Sequence, residues 1–296
     1  MLYSGKDLRK LIIPLIIEQI LAIAVGMADT IMVSAAGEAA VSGVSLVDTV
    51  NILLINVFSA LATGGAVVSG HFLGKKKRED ACKSAWQILL FATLLAFVIS
   101  VIFITAHDPL LRLMFGKIED DVMKASKTYL IITTYSFVAL AIYNSCAALF
   151  RAMNESKVTM WVSLLMNVIN VVGNAICIYG LHMGVAGVAI PTTISRYVAA
   201  VVIFLLMFQT KKEINLCGQI TWKFNGSLIK KILYIAIPNG LENSMFQLGK
   251  ILVMSAVATM GTSAIAANAV TGTIANWNNL PGFAINLAIV SVVRVC

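Results

Sequence analysis

The chain has 296 residues, of which 59% are hydrophobic and 12% are charged, and its mean hydropathy is +0.90. This composition excludes a soluble globular domain. The net charge of +8 is compatible with nucleic acid or with anionic lipid as a partner. The positions of the cations along the chain distinguish between these two partners.

Eight apolar stretches of about 20 residues or more recur along the chain, and each can cross a hydrocarbon core about 30 Å thick. As spans one to eight, we place them at 8–34, 42–73, 85–106, 123–150, 159–181, 184–208, 228–258 and 264–293. Hydrocarbon offers no water to backbone N–H and C=O groups, so each span must be helical. The sequence therefore predicts an all-α polytopic membrane protein with eight transmembrane helices.

Cations are concentrated in every second loop. The sequence KKKR at 75–78 follows span two, whereas the loop at 35–41 has no cation and the loop at 107–122 balances two cations against four acids. By the positive-inside rule, the N-terminus and the loop at 74–84 are cytoplasmic and the loop at 107–122 is outside. We therefore expect a multi-pass protein of the cell membrane with the lipid bilayer, and no nucleic acid, as its partner.

Span one contains Pro14, Glu18 and Asp29. A charge near the bilayer centre costs about 3 kcal/mol, so such carboxylates usually face a protein interior or a wet cavity. The step from Glu18 to Asp29 returns to within about 20° of the same helix face. Asp29 is the stronger candidate for ion coupling, because Glu18 follows a proline by one turn and could equally stabilise freed N–H groups.

Spans five to eight carry further polar residues. Span five has a polar face made by Ser163, Asn167, Asn170 and Asn174, which either holds helices together or lines an ion path. The secondary polar candidates are Thr192, Thr193 and Arg196 in span six and Glu242 and Lys250 in span seven. Arg196 and Lys250 could be counter-ions to the carboxylates or could extend to the membrane surface. Pro238 and Pro281 are candidate bending points, as Pro14 is.

Span seven repeats span one. Pro14 and Glu18 match Pro238 and Glu242 at an offset of 224, and the same offset relates two further pairs, Gly37 with Gly261 and Ala40 with Ala264. This predicts a duplicated six-span unit whose copies are related by an axis along the membrane normal. The predicted domains are a six-helix N-lobe at 1–209, a cytoplasmic interlobe linker at 210–227 and a partial C-lobe with helices seven and eight at 228–296. We expect a chain truncated at its C-terminus.

Several kinds of site lack a sequence signal. The five cysteines and three histidines form no CxxC pair and no cluster, so we expect no metal centre and no cofactor. A nucleophile paired with a base and a filter-forming loop are also missing from the sequence, so we expect neither an enzyme nor a channel.

These features together resemble the multidrug and toxic compound extrusion (MATE) transporters, a family of the multidrug/oligosaccharidyl-lipid/polysaccharide superfamily. The resemblance covers essentially the whole chain and rests on GMADTIMVSAAGEAAVSGVSL after Pro14, SGHFLGKKK after span two, LFRAMNESKVTMW before span five, and IPNGLEN in span seven. It implies an N-lobe and a C-lobe of six helices each around a cavity that opens alternately to the two sides.

The resemblance also implies roles for individual residues. Asp29 matches the family's N-lobe aspartate, Pro14 matches the proline around which the first helix bends, and Asn170 matches the N-lobe asparagine. Asn174 stands where many members have an aspartate, so we expect the N-lobe site to have a single carboxylate. Na⁺ could bind Asp29 together with the amide oxygens of Asn170 and Asn174.

We expect a cation-coupled (H⁺ or Na⁺) antiporter that exports lipophilic or cationic drugs and toxic compounds by alternating access and is monomeric at full length. A flippase of lipid-linked oligosaccharides or polysaccharides, from the same superfamily, is the main alternative, but the few intramembrane cations argue against it. Because alternating access needs a second lobe, we expect residues 1–296 alone to bind substrate weakly near Asp29 without sustained efflux.

Overall fold

The structure, a computed structural model, describes residues 5–116, 118–209, 213–216, 222–272, 274–275 and 282. Within this part of the chain the regular structure is helical, and the helices are α1 (Gly5–Ser34), α2 (Glu38–Gly74), α3 (Arg78–Thr105), α4 (His107–Phe115), α5 (Asp120–Thr134), α6 (Phe137–Ala152), α7 (Ser156–Ala175), α8 (Ala186–Leu206) and α9 (Gly226–Ala258). A π-helical turn, Ile176–Gly180, extends α7, and residues 262–272 are also helical. The all-α expectation is confirmed.

The structure does not confirm the predicted number of eight membrane-spanning helices. Among the described residues, five helices are long and apolar enough to cross a membrane, or six if α5 and α6 together form one bent span. Helix α9, predicted as span seven, is not among them because its centre contains the polar run from Pro238 to Asn243. Most of span eight lies outside the described residues.

The sequence predicted one helix for span four, but the structure has two helices there. Helices α5 and α6 meet at a 52° bend around Tyr135 and Ser136. The hydroxyl of Thr134 donates to the backbone oxygen of Leu130 at 2.6 Å, and that of Ser136 donates to the backbone oxygen of Thr133 at 2.6 Å. Side-chain hydrogen bonds of this kind compete with the helical ladder and bend it.

The predicted loop at 107–122 contains helix α4. Asp108, in its first turn, lies 2.6 Å from the Lys127 ammonium on α5. The hydrogen bond from Lys127 holds the pKa of the Asp108 carboxyl below its ordinary value. The polar residues that favoured a loop instead lie on an exposed helix that this contact connects to α5.

Helix α2 is the central element of the bundle. It packs against α3, α5, α6 and α9, whereas α1 packs mainly on α7, and α7 packs on α8. Where α2 meets α9, a Cβ atom on Gly64 would lie 2.7 Å from the backbone oxygen of Ile232. The first helix of the predicted second lobe therefore rests closely on the first lobe.

The described part of the predicted interlobe linker is attached to α3. Arg78 donates to the backbone oxygen of Glu213 at 2.9 Å. Gln87 donates to the backbone oxygen of Lys223 and accepts from the backbone N–H of Asn225, both at 2.9 Å. Asn225 in turn caps the N-terminus of α9 by accepting from the N–H of Leu228 at 3.2 Å. Helix α3 thus positions the start of α9.

Replacing Gly64 by alanine should lower the free energy of unfolding by about 1–3 kcal/mol, because the added methyl group forces the backbones of α2 and α9 apart. Thermal unfolding in detergent measures the effect. Gly26→Ala is the matched control, since nothing lies within 4 Å of a Cβ atom there. Equal stability of the two variants would show that the close approach of α2 and α9 is unimportant.

Candidate cation-binding site

Asp29 and Asn174 form the centre of the candidate site. Asp29 lies near the end of α1, and its Oδ1 accepts a hydrogen bond from Nδ2 of Asn174 on α7 at 2.6 Å. Asn174 is fully buried, whereas Asp29 is only partly covered. The hydrogen bond therefore joins a partly accessible residue on α1 to a fully buried amide on α7.

Behind Asn174 the hydrogen bonds continue in one direction. Nδ2 of Asn174 also donates to Oδ1 of Asn170 at 3.3 Å, and Nδ2 of Asn170 donates to the hydroxyl of Thr192 at 2.9 Å. Thr192 donates to the backbone oxygen of Val188 at 2.8 Å. A backbone carbonyl can only accept, so it determines the orientation of each group back to Asn174. Asn174 therefore presents its NH₂ group, not its oxygen, to Asp29.

Small residues let α7 and α8 approach closely enough to form this chain. A Cβ atom on Gly173 would lie 2.6 Å from Cβ of Pro191, so only glycine allows the present spacing. Immediately after Asn174 the helix changes to the π-helical turn Ile176–Gly180. Such turns often occur at functional sites in helices.

The structure adds a second carboxylate that the sequence analysis missed. Asp48, on α2, is near enough to Asp29 to interact with it electrostatically, and it is hydrogen-bonded to Tyr129 on α5. The expectation of a single N-lobe carboxylate did not take Asp48 into account. The sequence signal for Asp48 was a carboxylate inside span two, at 42–73. Periodicity within one span does not show which of its residues lie close to a residue of another helix.

Arg196, on α8, belongs to the same cluster. It interacts electrostatically with both Asp29 and Asp48, and its guanidinium donates to the hydroxyl of Ser136 at 2.8 Å. None of the ion pairs within 4.0 Å among the described residues includes Arg196, so its role as a counter-ion stays a prediction. Its neighbour Thr193 donates instead to the backbone oxygen of Ile132 at 3.0 Å, and Asn167 is buried with no partner for its Nδ2.

Glu18 lies in a separate polar cluster nearer the other end of α1. Its Oε1 accepts from Nη2 of Arg151 on α6 at 2.9 Å, and its Oε2 accepts from the hydroxyl of Thr159 on α7 at 3.0 Å. The side chains of Glu18 and Arg151 are 7% and 12% exposed. Since eleven residues of helix rise about 16 Å, Glu18 and Asp29 share a helix face but not a site.

The candidates of the second repeat do not join either cluster. Glu242 and Lys250 are exposed on α9, and the Lys250 ammonium lies 5.0 Å from the centroid of the Phe246 ring. Pro238 is also exposed in α9, whereas Pro14 is buried in α1. Pro281 lies outside the described residues. Within the described part of the chain, no group of three or more His, Cys, Asp or Glu side chains could hold a metal ion.

A family model described as MatE matches residues 14–176, which is more than half of the chain and includes both polar clusters except for their α8 residues. The chain belongs to the MatE family. This confirms the resemblance seen in the sequence, and the protein is a multi-pass membrane protein.

Individual relatives agree with this assignment. The chain is 28% identical over 278 residues to the uncharacterized transporter YisQ of Bacillus subtilis, covering 92% of this chain and 60% of YisQ. It is 25% identical over 292 residues to the probable multidrug resistance protein NorM of Thermotoga maritima, covering 97% of this chain and 62% of NorM. The solved structure of the MATE multidrug transporter DinF-BH has the same fold, with a TM-score of 0.90 and 23% identity over 100% of this chain and 66% of that one.

The chain thus spans about 60% of the length of the curated relatives. Two of these relatives, from Thermotoga maritima and Halalkalibacterium halodurans, are named probable multidrug resistance proteins, and solved MATE structures share the fold of this chain.

Proposed function

We propose that this MATE protein is part of a proton-coupled antiporter that exports lipophilic organic cations across the cell membrane, with its N-terminus in the cytoplasm. The main support is the hydrogen bond between Asp29 and Asn174, which gives a partly accessible carboxylate a buried partner on another helix. A carboxylate in such surroundings is costly when charged without compensation, so it attracts a proton or a cationic substrate. Competition between these two for one carboxylate couples their movements.

The orientation of the amides favours H⁺ over Na⁺. A sodium ion bound by Asp29, Asn170 and Asn174 would need the amide oxygens of both asparagines. Oδ1 of Asn170 already accepts from Asn174, and Asn174 directs its NH₂ group at Asp29. A proton needs only the carboxylate and is compatible with these bonds.

The two polar clusters suggest how neutralising Asp29 would change access. They hold α1 at two points, through Asp29 to α7 and through Glu18 to α6 and α7. Pro14 precedes both and lacks the N–H that would complete the helical ladder, so a bend there would move both attached segments together, whereas movement of Asp29 alone has to arise after Glu18. Protonation of Asp29 weakens its bond with Asn174, which leaves the outer half of α1 free to move about its bound cytoplasmic half.

The flippase alternative receives less support. A phosphate-bearing lipid-linked sugar would need a cationic cavity, whereas Arg196 interacts with two carboxylates. In the described chain Lys250, the other intramembrane cation, lies against an aromatic ring. The accessible charge of the candidate site therefore suits a cation, and DinF-BH, which shares this fold, is named a multidrug transporter. We also propose that the protein carries out no enzymatic step.

The proposed function can be tested by binding tetraphenylphosphonium, a lipophilic monovalent cation, to the purified chain in detergent. If protons compete with it, the apparent Kd should rise about tenfold for each pH unit below the midpoint of the site. Replacing choline by Na⁺ at equal ionic strength should leave the Kd unchanged. Competition by Na⁺ would contradict proton coupling, and failure to bind any organic cation would overturn the proposal.

A further inference from the structure

Asp48 lies deeper in the bundle than Asp29 on a neighbouring helix. Helix α1 ends at Ser34 and α2 begins at Glu38, so the depth of both carboxylates can be measured from the same end of the bundle. With a rise of about 1.5 Å per residue, Asp29 lies about 8 Å and Asp48 about 15 Å below that end. The two carboxylates therefore occupy successive layers of one polar region.

Tyr129 and Arg196 lie in the layer of Asp48. Helices α5 and α8 begin at the same end of the bundle as α2, and each side chain lies about 14–15 Å along its helix. Tyr129 is buried and hydrogen-bonded to Asp48. Among the described ion pairs with a nitrogen-to-oxygen distance of 4.0 Å or less, none includes Arg196, which balances the carboxylates from a longer distance.

Among the residues that the structure describes, the neighbouring helices add no further charge to this region. Helix α7 contributes the asparagines only. Tyr143 and Arg151 of α6 interact with Glu18 in the other cluster, and Lys250 of α9 lies over Phe246. As far as the described residues show, the region thus contains two carboxylates and one guanidinium, which leaves one negative charge in excess when both carboxylates are ionised. A single monovalent cation neutralises it.

We propose that Asp29 and Asp48 act as one unit that holds a single proton, while Arg196 balances the second negative charge. This rests on the proposed function and adds a second coupling residue and a stoichiometry to it. When an organic cation binds, the shared proton leaves the carboxyl group for water, and the total charge of the region stays at zero. Either carboxylate can hold the proton, with Tyr129 as the hydrogen-bond donor to Asp48.

The number of protons released per cation bound tests whether Asp29 and Asp48 share one proton. With tetraphenylphosphonium and the full chain in weakly buffered detergent solution, a pH-sensitive dye should report about one proton per cation for the unchanged protein. Asp48→Asn leaves one carboxylate opposite Arg196 with no excess charge, so release should fall to about one third of that value or less. Release that stays at one proton in Asp48→Asn would overturn the proposal and leave Asp29 as the sole coupling group.

A charge-rescue variant separates this effect from a structural one. In Asp48→Asn/Arg196→Gln a single carboxylate again lacks a counter-ion, so release should return to about one proton per cation. A double variant that folds and binds but releases no proton would contradict the charge balance. Asp120→Asn, at an exposed position at the start of α5, is the matched control and should match the unchanged protein. If the unchanged protein binds the cation without releasing any proton, the proposed function itself fails.

Discussion

Replacing Arg151 by methionine should lower the free energy of unfolding by about 3–5 kcal/mol, because it leaves the Glu18 carboxylate buried without its cation. The Arg151 guanidinium lies 2.9 Å from Oε1 of Glu18, and both side chains are almost completely covered. Unfolding by heat or denaturant in detergent, followed by helical circular dichroism, measures the change. The loss should be among the largest for any single substitution near the N-terminal end of α1.

Two further variants test whether the unpaired charge of Glu18 causes this loss of stability. In Glu18→Gln/Arg151→Met both charges are removed, so most of the lost stability should return. Lys157→Met removes an exposed cation at the start of α7, next to the same cluster, and should change stability by less than about 0.5 kcal/mol. If Arg151→Met behaved like Lys157→Met, the ion pair would have no structural role and α1 would be held mainly by its apolar contacts.

Replacing Asp29 by asparagine should weaken tetraphenylphosphonium binding by about 30-fold or more, because truncating one charge of a buried charge pair costs about 2–5 kcal/mol. The variant should also lose the pH dependence of binding, since Arg196 then balances the remaining charge of Asp48 and no excess negative charge is left to take up a proton. Asparagine keeps the size of the side chain and can still accept from Asn174, so the protein should remain folded. Isothermal titration at several pH values measures both effects.

Asp120→Asn makes the same chemical change on an exposed carboxylate and should leave affinity and pH dependence unchanged. Unaltered affinity in Asp29→Asn would mean that another residue is the coupling group, and Asp48 would be the next residue to test. In a protein of the relatives' full length, the same substitution should abolish export driven by a pH gradient.

The helices could be predicted from the sequence because hydrocarbon leaves a backbone no alternative. Six of the predicted spans correspond to α1, α2, α3, α7, α8 and α9 of the structure. The bend in span four could not be predicted from hydropathy, since it arises where the Thr134 and Ser136 hydroxyls bond to the backbone. Helix α4 was missed for a related reason. Its polar residues are typical of a loop, and the sequence does not show the contact of Asp108 with Lys127 on another helix.

The candidate site was only partly visible in the sequence. The helical period placed Asn170 and Asn174 on one face of span five, and the structure shows them joined by a hydrogen bond. The contact of Asn174 with Asp29 links residues 145 positions apart, and periodicity says nothing about such pairs. Asp48 was missed because a carboxylate within a span looks the same whether it faces lipid, water or another carboxylate.

The sequence by itself determined that this is a helical membrane protein, which carboxylates lie within its predicted spans, and which family it resembles, and the repeat stays a prediction from the sequence. Composition, period and spacing are local properties, and the bilayer converts them directly into helices. Only the tertiary structure decided that Glu18 pairs with Arg151, 133 positions away, and that Asp29 meets Asn174, Asp48 and Arg196. Whether a buried charge holds the fold together or takes up a proton depends on the groups that surround it, and these come from helices distant in the chain.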